Sequence, residues 1–200
     1  MITHLVGISL GPASSVESGV AVRELNSGKL IYLDKLFSMN DIQLFFDNYV
    51  SIKNSAICVS LPWDNTMLEG KWRVQSKPYQ LVNQNNKFIN KDNWIQRFST
   101  RGSDLLLNLS QNGADISRFE IYLTRQKLNL YSNYKEHSTA DCKFLQSALK
   151  LDWGFEDLPN NMMPAAQLEA MLGTILAEKK INSETTKLFE FRGLNVINKI

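Results

Sequence analysis

Leu5-Val6-Gly7-Ile8-Ser9-Leu10-Gly11-Pro12-Ala13-Ser14-Ser15, followed by Ser18-Gly19-Val20-Ala21-Val22, is the stretch on which the fold turns. Residues 3–10 form an apolar run rich in branched side chains, the composition of a central strand covered on both faces. The small residues after it fit a tight turn, and 18–25 read as a second strand. Asn26-Ser27-Gly28 marks another turn before a third strand over 29–37. Strands joined by such short turns form an antiparallel meander.

Beyond residue 38 the period changes. Ser38 with Asp41 makes a capping-box-like start, and Ile42, Phe45, Phe46 and Tyr49 recur at helical spacing, predicting an amphipathic helix over 39–50. Ala56-Ile57-Cys58-Val59-Ser60-Leu61, stopped by Pro62-Trp63, reads as a fourth strand. A helix between strands is a crossover, so this strand is expected parallel to its neighbour. Residues 64–91, rich in Asn, Gln and Lys, read as a long excursion over one end of the sheet.

Helical pattern resumes over 92–112, with Trp94, Phe98, Leu105, Leu106 and Leu109 as its apolar side and an interruption near Gly102. Arg118–Leu123 reads as a fifth strand, 138–150 as a helix, and 151–163 as a loop. A last strong helix runs from Pro164 to about Ile181, with Leu168, Met171, Leu172, Ile175 and Leu176 as its core stripe. Glu169 falls beside that stripe, on the edge of Ala165 and Gly173, where small residues let a strand approach and set the carboxylate at the seam or rim. A terminal strand is expected near 188–191 or 196–200.

Composition narrows the classes. A chain of 200 residues, 44% hydrophobic and 21% charged, accommodates one well-buried core, so a single domain over 1–200 is expected. The net charge of +2 is not that of a protein that coats nucleic acid, although a local basic patch is compatible with it. Cys58 and Cys142 lie far apart in a predicted strand and helix, so they read as reduced core residues. His4 and His137 have no Cys, His or carboxylate at zinc-ligand spacing. No apolar run approaches the ~20 residues that span a bilayer, and no basic leader precedes one. A soluble, cytoplasmic protein with no membrane partner is the expectation.

The order of these elements resembles the RNase H-like fold: α/β, a mixed sheet with an antiparallel three-strand meander plus parallel strands, flanked by helices. The chain also resembles the predicted RNase H-fold nucleases grouped mainly as a domain of unknown function. Their opening Gly-Ile-Asp is matched by Gly7-Ile8-Ser9, and their Ile-Asp-Ala-Pro segment by Val59-Ser60-Leu61-Pro62. Arg101-Gly102-Ser103-Asp104 stands for an Arg-x-x-Asp segment, and Glu120-Ile121-Tyr122-Leu123 with Tyr134-Lys135 for a Glu-Val-Tyr-Pro strand followed by Tyr-Lys. The late Asp-Ala-rich helix is matched from Glu169 to Ala177. The resemblance implies carboxylates on the first strand, after the fourth strand and on the late helix, holding metal ions for phosphodiester cleavage.

Here the departures fall on the chemistry. Two of those positions are Ser9 and Ser60, and the third is the longer Glu169. A neutral hydroxyl does not replace a carboxylate around Mg²⁺, which needs anionic oxygen to offset its dehydration. Asp64 or Glu69 would have to swing in as substitute ligands. Ser14 and Ser15, with backbone N–H groups of their turn, could bind an anion. The same turn looks like the first phosphate loop of actin-like ATPases, whose second lobe a chain of this length does not accommodate. Arg101, Tyr134 and Lys135 are candidate substrate contacts, with Arg125 and Lys127 as further phosphate partners, set against an ordinary solvated surface. Trp63, Trp72, Tyr79, Trp94 and Trp153 are either base-stacking or core.

The leading expectation is a nuclease-like RNase H-fold protein whose two-metal site is lost or crippled and which binds nucleic acid, a nucleotide or a protein partner. The alternative is an active Mg²⁺- or Mn²⁺-dependent nuclease or phosphoesterase using Glu169 with Asp64, Glu69 or Glu120. A third reading is a structural subunit that offers 64–91 to its partner.

Overall fold

A computed structural model describes residues 1–60, 94–191 and 194–199. Its centre is β1 (His4–Ser9), whose residues from Leu5 onward are buried. β2 (Ser18–Glu24) pairs with it antiparallel, Val6 opposite Val22 and Ser9 opposite Gly19, and β3 (Leu30–Leu36) continues the meander. The expected capping box opens α1 (Met39–Tyr49): Ser38 Oγ accepts from the Asp41 amide, and the Asp41 carboxylate accepts from the Ser38 amide. The crossover through α1 returns the chain as β4 (Ser55–Ser60), parallel to β1 and in register with it from His4–Ser55 to Ser9–Ser60.

After the expected 64–91 excursion, which lies outside the described residues, α2 runs unbroken from Trp94 to Gln111. The interruption expected near Gly102 does not occur. Glycine costs a helix interior about 1 kcal/mol, which packing of Leu105, Leu106 and Leu109 into the core outweighs. The fifth strand also differs from expectation. β5 spans Asp115–Phe119, parallel to β4, and 121–127 is not strand but a short helix, α3 (Ile121–Lys127). Glu120 is the reason: its carboxylate accepts from the Leu123 amide at 2.6 Å and caps the helix. A short apolar run fits either period, so sequence spacing could not arbitrate.

α4 (Thr139–Asp152) and α5 (Ala165–Ile181) follow, and the two terminal stretches are both strands, β6 (Thr185–Phe191) and β7 (Leu194–Lys199). The sheet order is β3-β2-β1-β4-β5-β7-β6, with β7 parallel to β5 and β6 antiparallel to β7. The antiparallel meander, the helical crossover and the parallel β1-β4-β5 core make this an RNase H-like fold.

Each sheet face carries its own core. Val6, Ile8, Val20, Val22, Ile57 and Val59 meet α1 and α2. Leu5, Ala21, Ala56, Cys58 and Phe119 meet α5, with α4 behind it. α5 sits close because glycines leave room: a Cβ on Gly7 would lie 1.8 Å from the Ala170 carbonyl oxygen, and one on Gly173 2.6 Å from the Gly7 Cα. The expected amphipathic stripe is not what forms. Every residue of α5 from Leu168 to Ala177 is buried, Glu169 included, so the carboxylate is inside the seam and not on a rim. Cys58 and Cys142 are buried and unpaired, as expected. Among the described residues no helix is long and apolar enough to cross a membrane.

Candidate functional site

In an open α/β sheet, polar groups at the carboxyl ends of adjacent parallel strands form the natural site. Here β1 ends at Ser9, β4 at Ser60 and β5 at Phe119, with Ser60 in register with both its neighbours. Alternation sends the Ser9 and Ser60 side chains to the face shared with Leu5 and Cys58, where α5 lies. Both serines are buried.

The structure brings Ser9 and Glu169 together across 160 residues of chain: the Ser9 hydroxyl donates to Glu169 Oε2 at 2.8 Å. The other carboxylate oxygen, Oε1, is 2.6 Å from Nε2 of His137. Glu169 is only 5% exposed, whereas 52% of the His137 side chain faces solvent. The result is a buried carboxylate held between a hydroxyl and an imidazole, with the imidazole as its solvent-facing side.

His137 was not among the residues singled out by spacing, and neither was the device that holds it. It has a left-handed φ of 59°, unusual for a side chain with a Cβ, and its amide donates to Asp141 Oδ2 at 3.1 Å. Asp141 is 2% exposed and forms a two-pronged pair with Arg125, at 3.0 and 2.6 Å. The Ser132 hydroxyl adds a bond of 2.6 Å to the same carboxylate. Burial pushes the Asp141 carboxyl up, but the Arg125 and Ser132 hydrogen bonds, the guanidinium charge and the His137 amide outweigh it, leaving the group below its ordinary value. Arg125 also donates to the Leu130 carbonyl at 3.1 Å. Arg125, earlier a candidate phosphate contact, is therefore a buried structural cation. The readable signal was Ser138 with Asp141, an N-cap pattern for α4 that places His137 immediately before the helix.

The remaining candidates fall in different places. Ser14 and Ser15 are exposed in the turn after β1, and Tyr134 and Lys135 are exposed on the segment that leads to His137. Glu120 follows β5 at the same sheet end, with its carboxylate engaged in the α3 cap. Arg101 is on α2, across the sheet from Glu169, and donates to the Phe37 carbonyl at 2.5 Å. Lys127 is exposed at the end of α3. Trp153 is part-buried against the core, with the Lys179 ammonium 5.9 Å from its ring centre. Asp64, Glu69, Trp63, Trp72 and Tyr79, and the side chain of Trp94, lie outside the described residues.

No family model matches the sequence, and no curated protein matches it. Two solved structures are similar to it. Thermus thermophilus RuvC aligns with a TM-score of 0.48 and 10% identity over 90% of this chain and 96% of that one. T. thermophilus RuvC in complex with Holliday junction substrate aligns at 0.47, with 10% identity over 90% and 97%.

The described residues do not fit the two-metal centre implied by the resemblance. Serines stand on β1 and β4, and both oxygens of Glu169 are already engaged by Ser9 and His137. Among the described residues, no group of three or more His, Cys, Asp or Glu side chains is placed to hold a metal ion. What the set does is hold a buried carboxylate between the Ser9 hydroxyl and the His137 imidazole, with Ser60 buried beside Ser9 and His137 as the member that faces solvent.

Proposed function

We propose that this protein is a nucleic-acid-binding member of the RNase H-like fold, a degenerate relative of the nuclease-like group it resembles, and that it does not cleave by two-metal chemistry. The observation that carries this reading is Glu169 itself. A buried carboxylate in a metal centre would face other carboxylates, and here it faces Ser9 and accepts from it, with Ser60 in register beside Ser9. Nucleic acid is supported by the fold, by the polar end of the β1-β4-β5 core, and by the exposed Tyr134 and Lys135 on the segment bordering it.

The test has a binding arm and a metal arm. Labelled single-stranded and duplex oligonucleotides should bind in the presence of EDTA, and binding should weaken with salt because phosphate contacts release counterions. Millimolar Mg²⁺ or Mn²⁺ should leave the melting temperature of the natural protein unchanged. The S9D/S60D variant, which returns carboxylates to both strand ends, should gain stability from Mn²⁺; a ligand at one hundred times its Kd adds ~2.7 kcal/mol. Metal-stimulated cleavage by the natural protein that disappears in Glu169→Ala would establish the nuclease instead.

A further inference from the structure

The segment between α3 and α4 is a loop tied down from beneath, with Leu128, Leu130 and Ser132 turned inward and Tyr131, Asn133, Tyr134, Lys135 and His137 exposed. Its base is the Arg125–Asp141 pair, both residues 2% exposed. From that pair run bonds to the start of the loop at the Leu130 carbonyl, to the Ser132 hydroxyl, and to its end at the His137 amide. Ser132 Oγ accepts in turn from the Tyr134 amide at 3.3 Å, and the Ser138 amide donates to the Lys135 carbonyl at 3.0 Å. A surface loop has no need of a buried ion pair to stay in place. One so anchored holds a fixed shape before any partner arrives, which lowers the ordering cost of binding.

What the loop displays is specific in chemistry. Residues 131–137 are Tyr-Ser-Asn-Tyr-Lys-Glu-His, with no aliphatic side chain among them. Tyr131 is 46% exposed and Tyr134 58%, and Lys135 beside Tyr134 is exposed. Tyr131 is not loose: it packs T-shaped on Tyr122, with ring centres 5.1 Å apart and planes at 81°. Accessible rings, one of them packed in place, with a neighbouring cation, on a loop whose last residue reaches the buried Glu169, match the parts that bind unpaired bases and their backbone. A duplex keeps its base faces stacked and out of reach, so exposed rings beside a cation favour an unpaired strand.

We propose that residues 131–137 form a preorganised single-stranded nucleic-acid-binding loop, with Tyr131 and Tyr134 as base-stacking rings and Lys135 as a phosphate contact. This rests on the nucleic-acid reading above and adds the strandedness and the contacting residues. Fluorescence anisotropy with a labelled oligo(dT) of about 15 nucleotides, within the ~4–16 covered by one binding site in other single-strand binders, and with a matched duplex tests it.

The intact chain should prefer the single strand. Y131A/Y134A should weaken that binding by on the order of a hundredfold, and Y131F/Y134F should retain it, because stacking uses the ring and not the hydroxyl. K135A should weaken binding and lower the salt slope by about one. Both rings are exposed enough for the variants to fold, which a melting curve verifies. Single-strand binding unchanged in Y131A/Y134A would overturn the loop while leaving the broader reading intact, and preference for the duplex would do the same. No binding to any nucleic acid by the intact chain would overturn both.

Discussion

Replacing Asp141 with alanine should be among the most destabilising single changes available in this protein. The carboxylate receives Arg125 through two bonds of 3.0 and 2.6 Å, the Ser132 hydroxyl at 2.6 Å and the His137 amide at 3.1 Å, in a place where it is 2% exposed. Its removal leaves the Arg125 guanidinium buried without its counter-charge, for which breaking a buried pair costs about 3–5 kcal/mol. For a chain of this size each kcal/mol lowers the melting temperature by about 2–4 °C, so a fall of about 6–20 °C is expected.

The R125M/D141L double variant should recover only part of that loss, because it removes both charges but leaves the Leu130 carbonyl, the Ser132 hydroxyl and the His137 amide without these partners. The acid side follows from the same contacts. The Asp141 carboxyl lies below its ordinary value in the folded protein, so its contribution is fully present above the unfolded value of about 3.9 and is lost as pH falls through the folded one. Melting curves of the natural protein and D141N, taken from about pH 7 down to about pH 3, should therefore converge on acidification. A D141A variant melting within about 2 °C of the natural protein, the size of a neutral surface change, would refute the reasoning, as would a gap that widens in acid.

Further outcomes follow from packing. Gly7→Ala should destabilise by several kcal/mol or prevent folding, since its Cβ would meet the Ala170 carbonyl at 1.8 Å, backbone that cannot give way without moving α5. Denaturant titration measures this, and near-normal stability would contradict the close approach of α5 to β1. Cys58 should resist thiol reagents in the native protein, because burial pushes its thiol up to about 12. It should label only as the chain unfolds, and rapid labelling of the native form would show that β4 is less enclosed than described.

Much of the architecture was legible because its determinants are local. The branched run of β1, the turns around 11–17 and 26–28, and the Ser38–Asp41 box each act over a few residues, and period and turn chemistry express them directly. The close approach of a strand was legible too, since Ala165 and Gly173 share one helix edge and Gly7 is what Gly173 meets, but whether Glu169 sat in that seam or on its rim was not. The helix at 121–127 was not, because one capping bond from Glu120 decides between periods that a run this short cannot separate.

The chemistry of the site lies on the other side of that boundary. From the sequence alone came the serines at 9 and 60 where carboxylates were expected, and with them the doubt about metal chemistry. Only tertiary structure decided what Glu169 does: α5 is buried all round from Leu168 to Ala177, and partners 160 and 32 residues away take the two carboxylate oxygens. The pairing of Arg125 with Asp141, 16 residues apart, is likewise set by how α3 and α4 meet. Period and caps are written in neighbouring residues, whereas the partner of a buried charge is chosen by whichever elements the core brings together.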